Sequence, residues 1–412
     1  MKKTNVFNNI IEYLFIIVAI LECNSAYTRI NSTHTIVKYI VFIVTLIMMV
    51  NVIIKNIKIK KNKFIYSEFI FLIFFIFFIL TIKRNVSINE YIWKFLLFLP
   101  IMIIKMQNKY EVNEFSKKVT NVVCGLSIIS LIFFIMGSIL DVIPYKETVI
   151  NWGGENIRKN YFYLHFDTQK TNIFNREIIR NSGVFPEAPI YAFILCVGVL
   201  YSFLGKEKRF KRLIIEATII TTVSSTGIIF IILINIINYL LYSKEKWKKN
   251  RLLIILNLVI IPLLIALSIY AIIYLFNNKV NDGSNSYSLR VDDYNASYMA
   301  WKEHKILGNG YMNTSETERY MDKTYRKESM GQSNAIGRYA AEGGVYMIMT
   351  NFIIYIFLIF RENKRNEFVL LGIGMMYLIL LTNIPYNLIT IISLVVAYGT
   401  LNTNNNKIKG EI

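Results

Sequence analysis

Residues 36–54 read IVKYIVFIVTLIMMVNVII, and the basic segment KNIKIKK at 55–61 follows them directly. An apolar run of roughly 20 residues is long enough to cross the hydrocarbon core of a bilayer as a helix. Similar runs recur along the whole chain of 412 residues, which is 54% hydrophobic and has a mean hydropathy of +0.43. The sequence therefore predicts a polytopic membrane protein. Its composition excludes disordered, collagen-like and disulfide-scaffold proteins.

The apolar runs predict an all-α fold with about twelve transmembrane helices. They lie at about 7–22, 36–54, 64–82, 92–106, 119–140, 188–204, 213–223, 228–242, 252–276, 344–360, 369–382 and 384–400. The first run follows Met1-Lys2-Lys3, as in a signal peptide, but no small-residue cleavage site comes after it. We therefore interpret it as an uncleaved first span.

The basic residues predict the orientation of the spans. If the N-terminus is cytoplasmic, every short basic loop and both termini lie on the cytoplasmic side, where they hold 26 Lys and Arg against 7 Asp and Glu. This arrangement follows the positive-inside rule. The net charge of +19 is thus a topology signal and a match to anionic lipid headgroups. It does not indicate binding to nucleic acid.

Two long loops remain on the outer side, at about 141–187 and 277–343, and each has balanced charge. They separate N-terminal transmembrane helices at 1–140, central helices at 188–276, and C-terminal helices with a cytoplasmic tail at 344–412. Loops of this length are uncommon unless they have a function. Since they are rich in Tyr, Asn, Gly and charged residues, we expect them to bind a polar ligand at the outer face of the membrane.

Ionisable residues are few inside the predicted spans. Glu12, Glu68 and Glu216 lie near cytoplasmic ends, and Lys38 and Lys94 lie near outer ends. We interpret them as side chains that snorkel to the interface or pair with a nearby charge. The absence of an Asp, Glu or His chain across the bilayer centre disfavours an ion-coupled pump. The three cysteines and three histidines are widely separated, so neither a metal site nor a cofactor is predicted.

Two polar segments adjoin the central spans. The first loop ends in RNSGVFPEAP at 180–189, where Gly183 permits a tight turn and an acid beside prolines suits the start of a helix. Span seven ends in TTVSSTG at 221–227, which is too polar to face lipid. It predicts either a break that lines a polar cavity or a plain tight turn.

The second long loop carries further patterns. Residues 289–304 predict an amphipathic helix, and Gly308-Asn309-Gly310 predicts a turn. The loop closes with QSNAIGRYAAEGG at 332–344. We expect His304 to be a solvated surface residue. Asp292-Asp293 lacks the spacing of a metal-binding Asp-x-Asp motif, so we do not expect it to bind a metal.

In this order and at these membrane positions, the segments 180–189, 224–227, 290–310 and 333–344 resemble the O-antigen ligase and polymerase (Wzy-like) superfamily. The resemblance implies a GT-C-like helical bundle in the bacterial cytoplasmic membrane, with both termini cytoplasmic and the site at the outer face. It implies an undecaprenyl-diphosphate-linked oligosaccharide as substrate. Beyond the lipid bilayer, a chain-length regulator and a flippase are the implied partners.

The resemblance also implies the residues of the site. Arg180 and Arg290 would hold the donor diphosphate, and Glu187 is the first choice for the general base, ahead of Glu342 and His304. The implied substrate-binding residues are Gly183, Ser225, Gly308, Gly310, Ser333 and Asn334.

One departure from the family pattern bears on the activity. The ligase branch begins its last segment with His-Asn, whereas this chain has Ser333-Asn334. The missing histidine favours a polymerase of O-antigen or capsular repeat units over a ligase-type transferase. The two arginines at the diphosphate would make such a polymerase independent of a metal. A lipid-linked oligosaccharide flippase is the alternative from another class. The long outer loops and the lack of central charges disfavour a flippase.

Overall fold

The computed structural model describes residues 2–56, 61–173, 176–247, 286–324, 326, 331–361, 366–382 and 384–401. Most of these residues are helical. The N-terminal helices are α1 (Lys2–Glu22), α2 (Asn31–Asn56), α3 (Lys61–Thr81), α4 (Ile88–Tyr91), α5 (Leu99–Met106) and α6 (Lys109–Phe133). A π-helical segment, Ile92–Phe98, joins α4 to α5, and a second one, Phe134–Ile139, extends α6.

The first long loop, at about 141–187, contains two small antiparallel sheets. One has the order β1-β2-β3, and the other pairs β4 with β5. The strands are β1 (Lys146–Asn151), β2 (Glu155–Tyr161), β3 (His165–Asp167), β4 (Lys170–Ile173) and β5 (Arg176–Ile179). In register, Lys146 lies opposite Asn160 and Tyr161 opposite His165. The prediction of an all-α fold is therefore incomplete, because these strands are short and their polar residues hide the two-residue alternation that marks a strand.

The remaining helices carry the polar segments singled out above. They are α7 (Ala188–Leu204), α8 (Arg209–Thr221), α9 (Ser225–Trp247), α10 (Ser286–Glu303), α11 (Ser315–Tyr320), α12 (Ala335–Ile348), α13 (Ile354–Phe360), α14 (Asn366–Leu381) and α15 (Leu388–Leu401). A π-helical segment, Met349–Ile353, joins α12 to α13. The predicted helix at 289–304 is confirmed by α10.

The core lies around α7, which is buried on nearly every side. Gly198 of α7 meets the side chain of Val123 on α6, and Gly374 of α14 meets Leu200 of α7. Small residues at such contacts let helix backbones approach closely, which is a common way of packing helices in membranes. The segment 180–187 runs directly into this central helix, so its side chains are held by the rigid centre of the molecule.

The membrane assignment rests on the long apolar helices. Five stretches are long and apolar enough to cross a bilayer: Asn31–Asn56, Phe64–Thr81, Lys109–Ile139, Ser225–Tyr242 and Ala335–Phe360. Helices α7, α14 and α15 are apolar but shorter. Every predicted span except the ninth overlaps a described helix. The ninth, 252–276, lies outside the described residues, and the total of twelve spans stays a prediction.

Two of the ionisable residues in the predicted spans do not snorkel. Glu12 is only 3% exposed and forms ion pairs with Lys105 and Lys118 inside the bundle. Lys94 is 4% exposed and pairs with Glu22 at 2.8 Å. The prediction of a nearby ionic partner is thus confirmed for Glu12, and snorkelling is wrong for both residues. Buried charges of this kind are retained where an opposite charge compensates their desolvation.

The orientation of the spans can be tested directly. Reporter fusions after residues 60, 208 and 247 should report the cytoplasm, and fusions near 165 and 320 should report the outside. The expectation rests on the 26 basic residues that the topology assigns to the inner side. An outside signal at 208 or 247 would contradict it, because the Arg180 and Arg290 segments would then face the cytoplasm.

Candidate active site

The segment before α7 is fixed by one buried amide, that of Asn181. Its Nδ2 donates to Thr221 Oγ1 at 3.0 Å, and its Oδ1 accepts from Ser130 Oγ at 2.6 Å. The same Oδ1 accepts the backbone N–H of Gly183, whose φ is +55°. A side chain at position 183 would also meet the ring of Tyr191. The predicted tight turn at Gly183 is thus confirmed, whereas the role of Asn181 was missed.

Arg180 lies at the junction of this segment with the end of α8. Its Nε donates to the carbonyl of Thr222 at 2.9 Å, and its Nη1 donates to Gln169 Oε1 at 3.2 Å. Burial lowers the pKa of Arg180, and the negative charge of Glu187 opposes that shift. Among the described residues no carboxylate forms an ion pair with Arg180. The guanidinium is oriented by neutral acceptors, which leaves its charge uncompensated at short range.

Glu187 is the N-cap residue of α7 and is half-buried. Its Oε1 accepts a hydrogen bond from Trp152 Nε1 at 2.6 Å. Its side chain does not cap the helix. The backbone N–H of Ala188, in the first turn of α7, donates instead to Gln169 Oε1, which also accepts from Arg180. Gln169 therefore links Arg180 to the start of the central helix.

The polar stretch at 221–227 separates two helices, which fits both alternatives that the sequence leaves open. Helix α8 ends at Thr221 and α9 begins at Ser225, and Val223 between them has φ = +50°. The Oγ atom of Ser225 is buried and has no hydrogen-bond partner among the described residues. The break thus contains the carbonyl of Thr222, which orients Arg180, and the unpaired hydroxyl of Ser225.

Arg290, the second predicted arginine, lies on α10. Its side chain is exposed, and no described carboxylate forms an ion pair with it. It lies within electrostatic range of Tyr294 and Tyr377. The hydroxyl of Tyr377 donates to the carbonyl of Thr226 in the first turn of α9, at 3.0 Å. Arg180 thus contacts the α8–α9 break directly, whereas Arg290 is linked to it only through its electrostatic influence on Tyr377.

The glycines of the second long loop, Gly308 and Gly310, contact α12. Gly308 and Gly310 have φ values of +65° and +105°, which confirms the predicted turn. The N–H of Gly310 donates to the carbonyl of Glu342, and added β-carbons at Gly308 or Gly310 would meet backbone. On the facing helix, Gly344 has φ = +61° and breaks the helical conformation of α12. These glycines join the loop to the broken helix, which is a structural role.

The other two residues predicted as possible bases, Glu342 and His304, have opposite surroundings. Glu342 is buried, and its two carboxylate oxygens accept from Arg338 Nε at 2.8 Å and from the backbone N–H of Met312 at 3.0 Å. Both oxygens of this carboxylate are therefore already engaged within the protein. His304 lies exposed just beyond the end of α10, as predicted.

Ser333 is held by an acidic cluster, and Asn334 beside it caps a helix. The N–H of Ser333 donates to Asp293 Oδ2 at 2.7 Å, and Asp293 forms a buried ion pair with Arg326. Arg326 also pairs with Asp292 at 2.9 Å. Asn334 Oδ1 caps α12 by accepting from the N–H of Gly337. The two carboxylates are thus both paired with one guanidinium.

We expect Arg326→Ala to lower the free energy of unfolding by about 3–5 kcal/mol, because it leaves Asp293 buried without its partner. Arg319 is the matched control, since it is 69% exposed and forms only surface pairs. Arg319→Ala should change stability by less than about 1 kcal/mol. Denaturation of both variants in the same detergent measures the difference. Equal stability of the two variants would contradict the role assigned to Arg326.

Comparison with known proteins bears on this arrangement. Residues 212–349 match the family model described as O-antigen ligase, which spans α8 to the start of the π-helical segment after α12. The match includes Ser225, Arg290 and Ser333. It begins at residue 212 and therefore does not include Arg180. No curated protein matches the chain. The predicted resemblance is therefore confirmed: residues 212–349 are similar to the O-antigen ligase family, which is consistent with the Wzy and O-antigen ligase superfamily.

Proposed function

We propose that this protein polymerises oligosaccharide repeat units carried on a lipid diphosphate, at the outer face of the cytoplasmic membrane. The product would be an O-antigen or a capsular polysaccharide. The observation that carries the proposal is that Arg180 binds the carbonyl of Thr222 in the α8–α9 break and Arg290 acts electrostatically on Tyr377 beside it, each without an ion-pair partner among the described residues. Uncompensated arginines beside unpaired polar groups suit an anionic ligand.

The proposed reaction needs positive charge at the leaving group. A hydroxyl of one repeat unit attacks the anomeric carbon of another, the bond to the donor phosphate breaks, and a lipid diphosphate departs with the bonding electrons. Preorganised cations stabilise the charge that develops there in the transition state. A guanidinium donates two parallel hydrogen bonds to phosphate oxygens and stays protonated at physiological pH. Arg180 and Arg290 would bind the diphosphate in this way.

Glu187 is the proposed general base. Glu187 lies close enough to Arg180 to raise the pKa of the guanidinium, and the Oε1 atom of Glu187 is oriented by Trp152. The second carboxylate oxygen, Oε2, would take the proton of the attacking hydroxyl. Glu342 is less suited, because both of its oxygens are already engaged in the protein interior.

The choice of polymerase over ligase rests on Ser333. A serine hydroxyl cannot replace a histidine as a base near neutral pH. The backbone of Ser333 is fixed by Asp293, and its Oγ has no partner among the described residues. This hydroxyl would contact the acceptor sugar instead. A ligase-type transfer to a different acceptor is the second candidate, supported by the description of the family that matches.

Purified protein, in lipid and with a chelator present, should convert lipid-diphosphate-linked repeat units into a ladder of longer chains. Arginines would supply the charge that a divalent metal supplies in other glycosyltransferases, and Asp292 and Asp293 are already paired with Arg326. Gel electrophoresis of the products measures chain length. A strict requirement for Mg²⁺ or Mn²⁺ would contradict the metal-independent mechanism.

A further inference from the structure

The turn between β2 and β3 places two large aromatic side chains in an unfavourable backbone conformation. Phe162 and Tyr163 have φ values of +53° and +59°, and the N–H of Leu164 closes the turn on the carbonyl of Tyr161. Turns with positive φ at both central positions are normally built from Asn, Asp or Gly. Bulky side chains are rare there because their β-carbons crowd the backbone. Such an outlier indicates that these side chains serve a purpose that turn formation alone does not require.

The same two side chains are exposed, 64% for Phe162 and 48% for Tyr163. The turn is nevertheless held in place: Asn160 Oδ1 accepts the N–H of Tyr163 at 2.6 Å, and the Tyr27 hydroxyl donates to the carbonyl of Tyr163. An aromatic tip that is rigid and exposed is costly in water, since its apolar area is not buried on folding. The exposed rings of this turn would therefore be more favourable in an apolar environment than in water.

The position of the turn identifies that surrounding. The ring of Phe162 lies 6.3 Å from the ring of Phe133, which belongs to the long apolar stretch Lys109–Ile139. Phe133 precedes the outer end of that stretch by six residues, so the tip extends alongside its last turns. The ring of Tyr161 packs on Gly137 there. The nearby helical surface is apolar and outward-facing, with exposed Ile132, Ile135, Met136 and Ile139.

We propose that the β2–β3 turn is a membrane anchor that inserts Phe162 and Tyr163 into the outer leaflet of the bilayer. Tyrosine favours the interface between hydrocarbon and headgroups, where its apolar ring and its hydroxyl are both satisfied, and the apolar ring of phenylalanine gains from leaving water. The turn continues the lipid-facing surface of the adjacent span, so lipid is the occupant that this surface fits. The anchor would hold the sheets of the first outer loop, and with them the segment before α7, at the level of the headgroups.

Fluorescence quenching in nanodiscs tests the proposal. Phe162→Trp, compared with the parent protein, should add a blue-shifted emission that is largely lost when the phosphatidylcholine carries bromine near the top of its acyl chains. Glu155→Trp is the control, because Glu155 is exposed at the opposite end of β2, about 20 Å away along the strand. Its added emission should be insensitive to bromine. Equal, weak quenching of both variants would overturn the proposal.

Cysteine labelling gives a second measurement that does not depend on tryptophan. The native cysteines at positions 23, 124 and 196 are all buried. In the same nanodiscs, Phe162→Cys should react slowly with a water-soluble maleimide and Glu155→Cys should react rapidly. Rapid labelling at both positions would show that the turn lies in water. Slow labelling at position 162 without bromine quenching in the matched Trp variant would indicate a protein contact in place of lipid and would also overturn the proposal.

Discussion

Replacing Arg180 or Arg290 with alanine should abolish long glycan chains while the protein still inserts into the membrane. Each residue is expected to stabilise charge on the departing diphosphate, and removal of one such donor typically reduces the rate about a hundred- to a thousandfold. The chain length of surface glycan in a complemented deletion strain measures the effect. Purified variants assayed on lipid-linked repeat units measure the rate itself.

Controls separate the loss of chemistry from the loss of fold. Arg180 also holds the carbonyl of Thr222, so Arg180→Ala needs a thermal unfolding measurement beside its activity. Arg290 is exposed, and its alanine variant should unfold like the parent. Lysine at either position should restore activity only in part, since it lacks the forked geometry of the guanidinium. Arg319→Ala is the charge control on the same outer loop. Normal chain length in Arg290→Ala would contradict the proposed diphosphate site.

Arg338, on α12, would be a poor control for these variants. Its Nε donates to the buried carboxylate of Glu342 at 2.8 Å, and its guanidinium lies 5.5 Å from the ring centre of Tyr386. Removing Arg338 would leave Glu342 without its ionic partner in the protein interior. The expected outcome is therefore a loss of stability rather than a specific loss of activity.

The sequence predicted those parts of the site that depend on local backbone chemistry. Gly183, the break after Thr221 and the turn at Gly308 and Gly310 all occur where the patterns place them, because positive φ and helix ends are specified by a few neighbouring residues. The assignment of Gly308 and Gly310 to substrate was made from the family resemblance. The structure joins them to Glu342 and Gly344 instead, and their binding role stays a prediction.

The partners that hold the site could not be predicted, because they are distant in sequence. Asn181 meets Thr221 and Ser130 only after α6, α7 and α8 have packed together. Arg326 lies 33 residues from Asp293, and nothing in the local pattern distinguishes it from other charges in a loop of balanced sign. Long-range polar contacts of this kind leave no periodic signal in the chain.

A strain that lacks this protein should accumulate single repeat units on the lipid carrier, or a surface glycan capped with one unit. The reason is that polymerisation follows export of the unit and precedes transfer of the finished chain. Loss of a ligase would instead leave long chains on the carrier. Loss of a flippase would leave single units on the cytoplasmic leaflet, inaccessible to an outside probe. Long carrier-linked chains in the deletion strain would rule out the polymerase.

Two point variants extend the same test to the chemistry. Glu187→Gln keeps the shape of the side chain and an oxygen for Trp152, but it removes the proton acceptor, so activity should fall about a hundred- to ten-thousandfold. Ser333→Ala should retain much of the activity, because the backbone N–H that Asp293 accepts remains in place. The rates of both variants on lipid-linked repeat units decide between the two residues. A larger loss of activity in Ser333→Ala would contradict the role of Glu187 as the base. The base would then be expected near Ser333, and the role of Glu187 would be limited to its position at the start of α7 and its hydrogen bond with Trp152.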